Sequence, residues 1–218
     1  METDLTFWGH ACVQLARAHR SLLIDPGSFS DRTRLETVDA VLVTHEHVDH
    51  VLVDELAATV ANRSHFEVWA PAHVVDQLLA AGAPGERLHA VQGGDRFTAA
   101  GFEVAAEGEL HALIHTDVPR VANVAFIIDG AILHPGDSFT GPGAGEEISV
   151  LLAPVSAPWL SIGEVIDYVR AVRPALVVPI HSALLSDIGN ALVDRLVAGM
   201  GRAGYRRLAM GETITIQH

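Results

Sequence analysis

The chain is poor in cysteine and in positive charge, and it has no long uninterrupted apolar segment. Cys12 is the single cysteine among 218 residues, so no disulfide can form within the chain and nothing in it calls for an oxidising compartment. The thiol is read as a buried structural one. Lys and Arg together number 14 against 27 Asp and Glu, for a formal net charge of −13. With no basic cluster to set against that balance, a phosphate-tracking groove is excluded and no nucleic-acid partner is expected. No run of about 18 uncharged apolar residues is present, the length that a membrane-spanning helix needs. The N-terminus, Met1-Glu2-Thr3-Asp4, opens on acids rather than on a basic segment followed by an apolar one. A soluble cytoplasmic protein without a membrane partner is the expectation. Linkers, low-complexity segments and exact repeats are also missing, and the apolar runs are evenly spread, which predicts one domain over 1–218 with a substantial core.

Histidine is what the chain has, 13 in all, and its placement is uneven. His45-Glu46-His47-Val48-Asp49-His50 sets three imidazoles and Asp49 within six positions, directly after the apolar run Ala40-Val41-Leu42-Val43 and ahead of a helix predicted over Val53 to Ala61. A strand that delivers side chains at its carboxyl end and then turns into a helix points such closely spaced groups into one cavity. Neutral imidazole and carboxylate suit zinc without any thiol. Four donors on so short a turn do not converge on one tetrahedral ion without strain, so two metals are expected.

The rest of the chain alternates strand and helix. Leu5 to Phe7, Ala11 to Leu15 and Ser21 to Ile24 read as strands, the last ending at the turn Asp25-Pro26-Gly27. His10, at the bend between the first two, is within reach of the pocket but is read first as structural, whereas Asp25, closing an apolar strand, is placed to orient a ligand histidine. Glu67 to Ala70 reads as a strand, Ala72 to Ala81 as a helix and Val91 to Val104 as antiparallel strands. His65, His73 and His89 lack partners at ligand spacing. A second polar concentration, Glu107 to His115, carries His111 and His115; Asn123 to Ile128 is a strand, and the turn His134-Pro135-Gly136-Asp137-Ser138 suits a carboxylate that must approach a metal. Strands at Ser149 to Ala153 and Ala175 to Ile180 bracket a helix at Ile162 to Val172; a helix over Ile188 to Gly199 and closing strands within Tyr205 to Ile216 follow. His181 stands at the carboxyl end of a nearly continuous apolar strand, where open α/β sheets collect their ligands.

Taken together, these residues resemble the metallo-β-lactamase superfamily, binuclear hydrolases with an α/β fold built as a four-layered αβ/βα sandwich, and the likeness spans nearly the whole chain. Trp8-Gly9-His10-Ala11, Leu23-Ile24-Asp25-Pro26 and Val178-Pro179-Ile180-His181 resemble most the stand-alone proteins related to ascorbate-6-phosphate lactonase. The resemblance implies that His45, His47 and a histidine from the region of His111 hold one metal, that Asp49, His50 and His181 hold the other, and that Asp137 bridges them. Both His111 and His115 match the third-histidine motif. His111 is preferred because it follows the strand region Phe102 to Leu110, which leaves His115 to the substrate or to the structure. His134, near the Asp137 turn, is expected beside the ligands. Trp159 and Phe139 are candidate pocket walls, and Arg120 is a candidate contact for an anionic group. Glu46 is read as a solvated acid.

Iron-dependent relatives place a glutamate where this chain has His47, so two zinc ions are the expected cofactors, with manganese and iron compatible with the same donors. Such a pair lowers the pKa of a shared water and presents hydroxide to a carbonyl or phosphorus centre. Asp49 is expected to be both a ligand and the catalytic group that orients the hydroxide or takes its proton. The expected substrate is a small ester, lactone or phosphodiester, and a homo-oligomer is compatible with the sequence. A superfamily nuclease or phosphodiesterase acting on nucleic acid is the second reading, and it lacks the basic surface. A non-catalytic metal-binding regulatory module is the third, and the complete ligand set speaks against it.

Overall fold

Strands buried on both faces divide their side chains between two cores, and that division sets the layers of this molecule. The computed structural model describes residues 2–143 and 145–217. The first sheet holds, side by side in chain order, β1 (Glu2–Phe7), β2 (Val13–Arg17), β3 (Arg20–Ile24), β4 (Ala40–Leu42), β5 (Glu67–Ala70) and β6 (Leu88–Ala90). The second holds β7 (Arg96–Ala99), β8 (Phe102–Glu107), β9 (Ala125–Ile128), β10 (Ile132–His134), β11 (Val150–Pro154), β12 (Leu176–Ile180) and β13 (Gly204–Tyr205). The last strand, β14 (Thr213–Gln217), returns to the first sheet and lies antiparallel beside β1. Four helices cover the outer faces: α1 (Val53–Asn62), α2 (Ala72–Ala80), α3 (Ile162–Val172) and α4 (Asp187–Met200).

Side chains alternate between cores as a period of two requires. Leu22 and Ile24 of β3, with Ala40 and Leu42 of β4, face the second sheet and pack with Phe102, Phe126, Leu152 and Val178. Leu23 and Val41 point the other way, under Leu56 and Val60 of α1 and Val74 and Leu78 of α2. On the far side Ile127, Leu133, Leu151 and Val177 meet Val165 and Val169 of α3 and Val193 and Val197 of α4. The result is the four-layered α/β sandwich that the sequence predicts.

Both sheets follow the same succession. Pairing is antiparallel from β14 through β1 and β2 to β3, then parallel through β4 and β5 to β6. It is antiparallel from β7 to β10 and parallel from β10 to β13. This doubling is topological; no exact sequence repeat accompanies it.

Local signals set the helix limits. Ser161 caps α3 in a reciprocal box, its hydroxyl accepting from the Glu164 amide while the Glu164 carboxylate accepts from the Ser161 amide. The closing strands expected within Tyr205 to Ile216 are β13 and β14, which lie in different sheets, so the chain between them crosses the edge of the sandwich. One sequence expectation needs correction. The strand region leading to His111 is shorter than expected: β8 ends at Glu107, and Leu110 makes only an isolated bridge to Ala122. Cys12 is fully buried, and burial pushes its thiol pKa up. Among the described residues no helix is long and apolar enough to cross a membrane.

Phe126 is fully buried between the two sheets. Phe126→Ala is expected to cost about 3–5 kcal/mol through lost burial and the cavity left behind, read as a lower urea midpoint with an unchanged slope.

Candidate metal centre

The centre forms where strand ends from both sheets meet. Beyond β3, Asp25 takes a left-handed backbone conformation with φ of 52°, and its fully buried carboxylate accepts three hydrogen bonds. These come from the Thr44 amide (2.8 Å), the Thr44 hydroxyl (2.7 Å) and Nδ1 of His50 (2.7 Å). Asp25 thus ties the end of β3 to the turn after β4 that carries His45, His47, Asp49 and His50. Two residues further on, a Cβ on Gly27 would overlap the Asp49 and His50 backbone, so only glycine lets the two turns pack. From the second sheet come Asp137, after β10, and His181, after β12, while His111 arrives on the loop beyond β8. Asn123 fixes the Asp137 turn: its Oδ1 accepts from the Asp137 amide (2.9 Å) and its Nδ2 donates to the Pro135 carbonyl (2.9 Å).

The donors fall into two groups. His45, His47, His111 and Asp137 make one, and His10, Asp49, His50 and His181 the other; within each, the donor atoms lie within 4.8 Å of one another. Asp137 faces both. Its Oδ2 is 3.3 Å from Nε2 of His111, and its Oδ1 is 3.2 Å from Nε2 of both His50 and His181. The Nε2 atoms of His50, His111 and His181, and Oδ1 of Asp137, are buried without a hydrogen-bond partner. An orphaned buried polar group costs about 1–3 kcal/mol, and three such nitrogens around a carboxylate with an orphaned oxygen of its own fit a site that a cation completes. Nitrogen and oxygen donors in these numbers fit a zinc-like metal.

Which nitrogen each imidazole presents is set by the partner of the other one. Nδ1 of His50 donates to Asp25, Nδ1 of His111 to the Ala112 carbonyl (2.6 Å) and Nδ1 of His181 to the Ser156 carbonyl (2.5 Å). The Thr44 hydroxyl gives its proton to Asp25 and so accepts from Nδ1 of His45 (3.0 Å). All four rings are thereby turned with Nε2 toward the centre.

Charge balance follows from burial and from the two central aspartates. Burial alone would lower the pKa of His50, but Asp137 and Asp25 outweigh it and push it up to about 10. The same contest raises His181 to about 9, with Asp137 and Asp49 as the opposing carboxylates. For Asp137 burial is overcome chiefly by His50, and its carboxyl stays well below the usual range. Asp49 is held low in the same way by His10 and His181. Burial keeps His45 and His47 below the ordinary imidazole range. A field that draws a proton onto Nε2 of His50 and His181 draws any cation placed there, so proton and metal compete for the same nitrogens.

The remaining predicted residues are distributed as follows. His134 is buried beside the centre, donating from Nε2 to the Ala11 carbonyl (2.9 Å), with Nδ1 accepting from the Gly136 amide (3.2 Å). Trp159 is more than a wall: its indole N–H donates to Oδ2 of Asp137 (2.9 Å). Phe139 packs against Trp159 and Tyr168. Arg120 is exposed and donates from Nε to the His111 carbonyl (2.7 Å), which secures the ligand-bearing loop. His115 lies outside both groups, exposed and 3.6 Å from Asp117. Glu46 meets His73 at 3.0 Å. His10, read from the sequence as structural, stands in the second group with Nε2 3.1 Å from Asp49; its partner is 39 positions away, beyond any local spacing signal. Two cavities of about 650 and 580 Å³ contain none of the clustered residues in their walls.

A sandwich of four layers, with histidines and aspartates gathered at strand ends from both sheets, defines the metallo-β-lactamase fold class. The chain belongs to the beta-lactamase superfamily, its residues 4–181 matching the family described as Beta-lactamase superfamily domain. It is 36% identical over 218 residues to Protein Rv0786c of Mycobacterium tuberculosis, with 97% of this chain and 99% of that one covered. A relative in Myxococcus xanthus, described as a UPF0173 metal-dependent hydrolase, is 24% identical over 222 residues, covering 89% of this chain and 77% of that protein. Among solved structures, the metallo-beta-lactamase fold protein YhfI of Bacillus subtilis superposes with a TM-score of 0.77 at 15% identity, covering 98% and 99% of the two chains.

Because Gly27 packs on the Asp49–His50 backbone, Gly27→Ala is expected to lose about 1–3 kcal/mol from overpacking. Thermal denaturation of the metal-free variant measures it.

Proposed function

We propose that this protein is a metal-dependent hydrolase holding two zinc ions, with a small ester, lactone or phosphodiester as substrate. One metal would be held by His45, His47 and His111, the other by Asp49, His50 and His181, and Asp137 would serve both. The observation that carries this reading is the placement of the two Asp137 oxygens, one toward His111 and the other toward His50 and His181. Membership of the superfamily and the description of the Myxococcus relative support the hydrolytic class. Histidine rather than glutamate at position 47 favours zinc. When bound, such a pair supplies Lewis acidity that activates water against a carbonyl or phosphorus centre.

The chain's own groups have distinct tasks. Asp49 is the carboxylate that solvent reaches, its side chain 22% exposed against 4% for Asp137 and none for Asp25. It is therefore the group that orients the attacking water and takes its proton. Asp25 and Asn123 hold His50 and the Asp137 turn in place. The Trp159 N–H restrains the shared carboxylate at Oδ2. His47, His111 and Arg120 border a recess with Ile114 and Val118 that is only water-sized, so an apolar surface and one positive charge lie beside the centre.

Metal analysis of protein supplied with zinc is expected to give two equivalents per chain; a reproducible value of one would remove the binuclear reading. Asp49→Ala should lower turnover by about 10²-fold or more on whichever member of an ester, lactone and phosphodiester panel the wild type hydrolyses, with the urea midpoint largely kept. Wild-type turnover by that variant would refute the assigned chemistry. His111→Ala should lose one zinc equivalent and His115→Ala none; the reverse would move the ligand to His115.

A further inference from the structure

Six imidazoles belong to the two donor groups, and His10 differs from the four described above, His45, His50, His111 and His181. Its Nδ1 accepts a hydrogen bond from the Ala183 amide (3.3 Å), a group that can only donate. The proton of the neutral ring is therefore on Nε2, the nitrogen 3.1 Å from Oδ2 of Asp49. In His50, His111 and His181 the arrangement is reversed, with Nδ1 donating and Nε2 without a hydrogen-bond partner; His45 also donates from Nδ1, while its Nε2 lies 3.1 Å from Nδ1 of His47. His134 shares the orientation of His10, its Nδ1 accepting from Gly136 and its Nε2 donating to a carbonyl.

The geometry points to His10 as a positioning residue: an N–H donor that holds Asp49 through Oδ2, and not a metal ligand, although it lies among the donors of the second group. The surroundings fix it in that task. Its side chain has no solvent exposure, its ring lies 3.9 Å from that of His181 and is met edge-on by Phe29 at 5.3 Å. Its carbonyl accepts from the His181 amide (2.7 Å), and both residues have left-handed backbones, with φ of 50° and 57°. The bend at His10 thus couples a ligand-bearing residue of the second sheet to the carboxylate of the first. A hydrogen bond to one oxygen limits rotation of the Asp49 carboxylate, which is more exposed than that of Asp137.

The inference rests on the two-metal reading, and its test separates the two. In metal-free wild-type protein labelled with ¹⁵N at histidine, long-range ¹H–¹⁵N correlation should find His10 protonated at Nε2 only. Chelator competition should then show that His10→Leu weakens the second zinc equivalent about 10–100-fold and leaves the first unchanged. His10→Gln, whose amide nitrogen reaches the Nε2 position as a donor and is a poor zinc ligand, should restore most of the loss. A proton on Nδ1, or a Gln variant as weak as the Leu variant, would overturn the assignment, the latter being the behaviour of a direct ligand. Should wild type take up fewer than two zinc equivalents, the binuclear reading fails by itself, and the tautomer still decides the contact to Asp49.

Discussion

The carboxylate of Asp25 governs this structure. A fully buried negative charge is tolerable only when it is hydrogen-bonded on every side, and Asp25 meets that demand by taking the Thr44 amide, the Thr44 hydroxyl and His50. Those contacts fix the turn after β4 against the end of β3. Through Thr44 they also set the proton on His45, so one aspartate orients an imidazole in each donor group. Gly27 allows the same two turns to touch along their backbones.

The second sheet answers with a comparable device. Asp137 is held from behind by Asn123 and from the side by Trp159, leaving its oxygens directed at histidines from three different elements. Buried aspartates among imidazoles need positive charge beside them, which the protonated rings of His50 and His181 supply in the absence of a cation. Rigidity here comes largely from strand ends, with His111 carried on the loop between β8 and β9 and secured there by Arg120, which suits a centre whose donors must hold position within fractions of an ångström.

Much of this was readable in the sequence, for physical reasons that can be named. Ala40 to Val43 announced a strand buried on both faces, and His45 to His50 concentrated donors within one local turn, where spacing alone determines proximity. Asp25 and His181 were readable because each closes an apolar strand. His10 was not: its partners Asp49 and Ala183 are 39 and 173 positions away, and a solitary histidine at a bend carries no periodic signal. Trp159 looked like a wall because an indole is mostly apolar surface, and only tertiary structure shows where its N–H points. The separation of β13 from β14 was hidden for a related reason, since strand propensity says nothing about which sheet a strand joins.

The pairing of β1 with β14 has a consequence for the open side of the first sheet. Glu2 lies opposite Gln217, so β1 is an interior strand, and backbone groups that would otherwise be a template for another chain are taken by a segment of the same chain. The exposed edge passes to β14, whose outward positions Thr213, Thr215 and Gln217 are polar.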